Sequence, residues 1–329
     1  QTLAGQLNLQ TNGELKTSGA GQYIGDIALA GGKFSATDNQ VLSGTLSITA
    51  DSELRVSETY TLTLSQAGGL ALGANMLTLS GGGSLVSGGL TLDNASSKLV
   101  LNSIIVDNVS TSSNSLGLDV DNNSTVTSLT VAHTTPVSIA SSKTLSGAIT
   151  VTAGSIKLDE TGTLASTIAM SGGTLDADNS STLSGTLTQA GNITIDVADN
   201  KTLTYSGTAI SLGANTLTLI GGGTLSNTNA LVLNDANSLL TLAGILTIGD
   251  VEGTAASNSG KGILVTSSAT LGDYDLSAVS YLSIAANQTL AGQLNLQTNG
   301  ELKTSGAGQY IGDIALAGGK FSATDNQVL

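Results

Sequence analysis

Residues 72–92 read LGANMLTLSGGGSLVSGGLTL, and the pattern of that stretch decides the fold. In Leu77-Thr78-Leu79 and Leu90-Thr91-Leu92 apolar residues alternate with small polar ones, the period of 2 that belongs to a β-strand. Gly81-Gly82-Gly83 separates the strands with residues that accept left-handed backbone. Nothing in it has the 3.6-residue period of a helix.

The stretch returns along the chain. Leu72-Gly-Ala-Asn75 recurs as Leu212-Gly-Ala-Asn215, and Gly81-Gly82-Gly83 recurs at the same offset as Gly221-Gly222-Gly223. Leu42-Ser-Gly-Thr-Leu46 recurs at almost that offset as Leu183-Ser-Gly-Thr-Leu187. Leu145-Ser-Gly147 matches both Leu3-Ala-Gly5 before it and Leu290-Ala-Gly292 after it. Residues 288–329 repeat residues 1–42 without a change. Residues 1–287 are therefore one unit of two divergent halves, about 1–142 and 143–287, and residues 288–329 open the next identical unit.

A finer repeat lies below the half-unit. The phrases that begin at Leu3, Ile24 and Leu42, and again at Leu145, Leu164 and Leu183, follow one another at a nearly constant step. Repetition at about 20 residues marks a solenoid, in which short strands and tight turns make one coil and the next coil stacks on it. The expected fold is all-β, a parallel β-helix or β-solenoid with about 20 residues per turn, continuous over residues 1–329. At about 4.8 Å per turn, 287 residues correspond to roughly 14 turns and about 70 Å.

Composition agrees. Hydrophobic residues make up 40% of the chain, while charged residues are 10% and aromatic residues 2%. A slim lumen filled by Leu, Ile and Val follows, with Asp-Asn and Gly-Gly pairs such as Asp38-Asn39, Asp93-Asn94, Asp178-Asn179, Asp199-Asn200 and Gly31-Gly32 at the corners. Proline removes a ladder donor, and only Pro136 is present. Large rings are expected at irregular turns or on the surface, which places Tyr23, Tyr60, Tyr205, Tyr274, Tyr281, Tyr310, Phe34 and Phe321 there.

The net charge of −14 argues against binding nucleic-acid phosphates, which needs clustered Lys and Arg. No apolar run is long enough to cross a bilayer, so no membrane span is expected in this segment. There is no cysteine, and hence neither a disulfide nor a Cys-based metal site. The chain opens in mid-repeat, as a window on a longer polypeptide with its targeting segments elsewhere would.

Four acidic pairs stand at alternate positions: Asp119/Asp121, Asp176/Asp178, Asp250/Glu252 and Asp273/Asp275. On a strand each pair shares a face at about 7 Å, near the separation an inverting glycosidase uses. The blander reading is solvated corners. Asp119-Val-Asp121-Asn-Asn123 and Asp176-Ala-Asp178-Asn179 are the candidate calcium ligands, weighed against turn caps and stacked Asn. His133 lacks a Ser and Asp constellation, and it and Arg55 are expected at the surface. No catalytic residue and no resident cofactor is expected. Residues 249–261, GDVEGTAASNSGK, break the period and are the candidate protruding loop, the alternative being an insertion at a corner. Thr pairs such as Thr61/Thr63 and Thr125/Thr127 form no single regular array in the sequence.

Leu72-GANMLTLSGGGSL and Leu212-GANTLTLIGGGTL resemble the strand repeats of large bacterial surface proteins, the autotransporter passenger domains and filamentous-haemagglutinin-like adhesins. The resemblance covers the whole chain. It implies a right-handed parallel β-helix, export, and a role in adhesion, surface coating or extracellular fibres. The function expected is a non-enzymatic extracellular rod or filament segment on the bacterial surface, a fibre, stalk or biofilm-matrix scaffold. Its partner would be itself, by head-to-tail stacking or covalent continuation. The alternatives are an adhesin for glycans or a host surface, an acidic surface-layer protein, and, least favoured, a polysaccharide-cleaving β-helix enzyme.

Overall fold

Alternating apolar residues become strands whose inward side chains lie directly over those of the next turn. The computed structural model describes residues 2–3, 5–19, 22–23, 25–244 and 246–323, and among them every regular element is a strand. They fall into two compact units, residues 1–167 and 168–329.

In the first unit one face stacks eight parallel strands, from Glu14–Thr17 to Ser155–Leu158. Leu15, Phe34, Leu54, Leu79, Leu101, Val120 and Ile139 are partners on consecutive turns of that face. In the second unit the same face again has eight strands, from Thr174–Ala177 to Lys320–Ala323. Its lumen column runs Leu175, Ile195, Leu219, Leu242, Val265, Ile284. The fold is a parallel β-solenoid of about sixteen turns, eight in each unit.

Turn length explains the nested repeat. Most turns take roughly 20 residues, as the finer repeat requires. The turn from Leu54 to Leu79 is the longest of the first column, and that from Ile195 to Leu219 the longest of the second. The long turn thus recurs at equivalent places in the two half-repeats. Within it Asn75 Nδ2 donates to Leu72 O at 2.9 Å and Asn215 Nδ2 to Leu212 O at 3.0 Å, which is why the phrase Leu-Gly-Ala-Asn returns. The glycine of the Leu-x-Gly phrase has a different cause. Gly147 has φ of 126° and lies so close to the turn before it that a Cβ would overlap the Val126 carbonyl oxygen.

The duplicated segment keeps one register in both copies. Leu7 pairs with Ile27 as Leu294 does with Ile314, and Leu15 with Phe34 as Leu302 does with Phe321. Asn12 and its copy Asn299 both turn the corner with left-handed backbone, φ 66° and 70°. Residues 324–329, the last of the second copy, lie outside the described residues, as do Ala4 and Ile24 of the short phrases.

Two expectations need correction. The rings are not confined to irregular or outer positions: Phe34, Tyr205, Tyr274 and Tyr310 are buried in the lumen. Room comes from glycine, since Gly207 lies against the Tyr205 ring with no Cβ to displace it. The phenol is satisfied too, donating to Thr208 O at 2.6 Å and accepting from Leu187 N at 3.1 Å. Tyr60, Tyr281 and Phe321 are half-buried, and the Tyr23 side chain lies outside the described set. Residues 249–261 do not form a protruding loop and instead take the alternative, an insertion at a corner. Val251–Gly253 is a strand paired on both sides, and the corner that follows is tied down by Asn258 N to Ala236 O at 2.7 Å. Pro136 sits in Thr135–Ile139, a strand with neighbours on both sides, where Gly117 at φ 89° leaves it space.

Candidate functional site

The surface is built from columns, because each outward position repeats on the next turn about 4.8 Å away. Of the four acidic pairs, two come together. Glu252 on Val251–Gly253 is the partner of Asp275 on Ala269–Leu276, so Asp250, Glu252, Asp273 and Asp275 share one outer face of the second unit. Two of the four carboxylates serve the solenoid. Asp250 Oδ1 accepts from Asp273 N at 3.0 Å, and Asp275 Oδ1 accepts from Asn295 Nδ2 at 2.7 Å. Below this face the buried Tyr310 phenol, which donates to Gly292 O at 2.8 Å, is pushed up to about 12 by burial and by the charges of Asp313 and Asp273.

The calcium candidates are distributed differently. Asp119 pairs with Lys98, and Asp121 is exposed beside the bulge at Asn102. Asn122 Nδ2 donates to Asn102 Oδ1 at 2.7 Å, and Asn123 Oδ1 caps Thr144 N at 3.0 Å. Asp176 stands beside Asp196 of the following turn, and Asp178 is exposed. Among the described residues no three His, Cys, Asp or Glu are placed to hold a metal ion. Arg55 is exposed and His133 half-buried.

Two features escaped the sequence. Asp107 is a cap: Oδ2 accepts from Ser87 N and Gly88 N, both at 2.9 Å, and Oδ1 accepts from the Ser87 hydroxyl at 2.7 Å. Its partners lie one full turn away, so only the turn length could have linked them. Threonine also aligns where the named pairs gave no hint. In the second unit Thr174, Thr194, Thr218 and Thr241 occupy one column on four consecutive turns, and Thr202, Thr224, Thr247 and Thr270 another. Thr224, Thr247 and Thr270 of the second column line a shallow groove that also takes in exposed Ile311.

The first unit has a charged column instead. Glu14, Lys33 and Glu53 follow one another on the outer face, with Lys33 Nζ 2.9 Å from Glu53 Oε1. Glu14 Oε1 accepts from the Ser35 hydroxyl at 2.7 Å, and that bond, aided by Lys16, holds its carboxyl below the usual range. The second copy repeats it, with Glu301 accepting from Ser322 at 2.7 Å and pairing with Lys320 at 3.0 Å. Comparison with protein-family models, curated proteins and solved structures returns no match. Among the described residues no helix is long and apolar enough to cross a membrane.

Proposed function

We propose that the chain is a segment of an extracellular structural fibre assembled from tandem 287-residue units, with length and inertness as its function. The observation that carries this reading is the equality of the two copies: residues 1–42 and 288–329 are identical, and their described strands take the same pairing register at the start of one unit and at the start of the next. In a linear solenoid each turn contacts its neighbours only, so units add length at nearly constant stability per turn. Identical repeats suit that task because one unit can be gained or lost without altering a site. The outer surface supports it, since many of its carboxylates, Asp26, Asp51, Asp93 and Asp107 among them, cap turns.

Electron microscopy of native material tests the reading. Threads with a regular axial period are expected, and dispersed globular particles would overturn it. In the same reading the protein carries no catalysis: incubation with a broad glycan panel releases neither reducing ends nor unsaturated sugars.

The threonine columns favour a second reading, an adhesin that lies flat on a repetitive glycan surface. Retention on insoluble polysaccharide that is lost in Thr247→Lys/Thr270→Lys would support it, and equal retention of the variant would count against it.

A further inference from the structure

The cations on the stacked strand face of the first unit are engaged by their neighbours, with one exception. Lys16 pairs with Glu14 at 3.3 Å, Lys33 with Glu53 at 2.9 Å and Lys98 with Asp119, and Lys157 is engaged as well. Arg55, the one arginine of the chain, is exposed on Ser52–Val56 and has neither a hydrogen bond nor an ion pair among the described residues. Its neighbours in the column are Ser35 on the turn before and Ser80 on the turn after. Their hydroxyls donate elsewhere, to Glu14 at 2.7 Å and to Glu53 at 2.6 Å. No carboxylate of its own column is left for the guanidinium.

Arg55 stands at a recess of about 420 Å³ on the outer face, lined also by Thr78, Ser80, Asn102 and Ser103. Gly81, at φ 109°, lets the arginine stem lie against the following turn, since a Cβ there would come within 2.9 Å of Arg55 Cγ. The lining is rich in donors. Asn102 Oδ1 accepts from Asn122 Nδ2 at 2.7 Å, which leaves the Asn102 amide hydrogens unspent, and the Thr78 and Ser103 hydroxyls have no partner among the described residues. Glu53, at the edge of the recess, is already held by Lys33 and Ser80. Among the described residues no aliphatic or aromatic side chain lines it. The second half-repeat keeps the backbone and reverses the charge: Asp196 pairs with Ile220 beside Gly221, as Arg55 pairs with Ser80 beside Gly81.

We propose that this recess binds a sugar that carries a carboxylate, with the carboxylate on the Arg55 guanidinium and the sugar hydroxyls on Thr78, Asn102 and Ser103. A planar guanidinium takes a carboxylate by two parallel charge-assisted bonds, and the surrounding amide and hydroxyl groups match a polyhydroxylated ring. A peptide ligand would be anchored by a buried apolar or aromatic side chain, and the recess offers nothing to hold one. The net charge of −14 repels a polyanion, so a glycan with one acid among neutral sugars suits a lone arginine. The site is separate from the threonine columns and stands without the fibre reading. In a fibre of tandem units it would recur once in every 287 residues.

Saturation-transfer NMR of the 329-residue chain, titrated with a disaccharide of glucuronate and N-acetylglucosamine, tests the site. Saturable binding is expected, and the methyl ester of the same disaccharide should bind about tenfold more weakly or worse, the loss that follows when a charge-assisted pair is removed. Arg55→Gln, at an exposed position, should lose a similar factor with an unchanged circular dichroism spectrum. Arg55→Lys keeps the charge and should recover only part of the affinity, because an ammonium lacks the planar fork. Lys143→Gln removes a cation outside the recess and should bind as wild type does. A wild-type chain without saturable binding, an Arg55→Gln chain that binds equally well, or a methyl ester that binds as tightly as the acid would each overturn the site. A peptide of one aspartate among serines and glycines that binds as tightly as the disaccharide would overturn the assignment to a sugar.

Discussion

The inward Leu, Ile and Val residues were legible in the sequence because period 2 needs no knowledge of the neighbour. Asp107 was not, because a lone Asp reveals its role only once Ser87 is placed one turn below it. Asp107→Ala removes three accepted hydrogen bonds at a half-buried position and should cost about 1 kcal/mol in urea unfolding. The buried rings were misread for a similar reason: the space for Tyr205 is made by Gly207 of a corner. Among the six tyrosines, Tyr310 should ionise near pH 12 and Tyr274 still higher, both through burial first. A phenol raised in the folded state contributes stability that is present below about pH 10, its unfolded value, and lost as pH rises through the folded value. Tyrosinate absorbance should show the late phase, and its absence would contradict the burial. Glu14 and Glu301 have the opposite sign. Their folded values are lowered, by Ser35 and Ser322 first, so their contribution is present above about pH 4.3 and fades as pH falls through the folded value. Melting curves of Glu301→Gln should show a weaker acid dependence than wild type.

At the scale of the element, the unit of structure is the turn of roughly 20 residues, and its corners carry the specificity. Fully buried Ser97 accepts from Asn94 N at 2.9 Å and donates to Gly73 O; Ser238 accepts from Asp235 N at 3.0 Å and donates to Gly213 O at 2.6 Å. The two half-repeats diverge around these serines, DNASSK against NDANSL, yet keep the corner. Ser97→Ala and Ser238→Ala should each cost about 0.5–1.5 kcal/mol, because each removes two hydrogen bonds made by a fully buried hydroxyl. Leu54→Ala, in the lumen, should cost about 2–5 kcal/mol in the same unfolding measurement. The sequence phrases located the turns well. They could not show that residues 249–261 stay within the stack, since the bond from Asn258 to Ala236 joins segments with no shared motif.

For the molecule as a whole, stability is a sum over neighbouring turns, so a polypeptide lengthened by another 287-residue unit should keep its stability per residue while its denaturant slope grows with length. The repeat was visible in the sequence down to single residues, whereas the chemistry of the outer face was not, because columns form between residues a full turn apart. The account depends on consecutive turns lying in parallel register, identically in both copies of the repeat. Disulfide closure measures this most directly, because the chain has no cysteine of its own and directly paired strand positions fall within disulfide reach. Glu14→Cys/Lys33→Cys and, in a separate chain, Glu301→Cys/Lys320→Cys should both oxidise to intramolecular disulfides without loss of the β spectrum. Failure of both pairs, or closure in one copy and not the other, would contradict it.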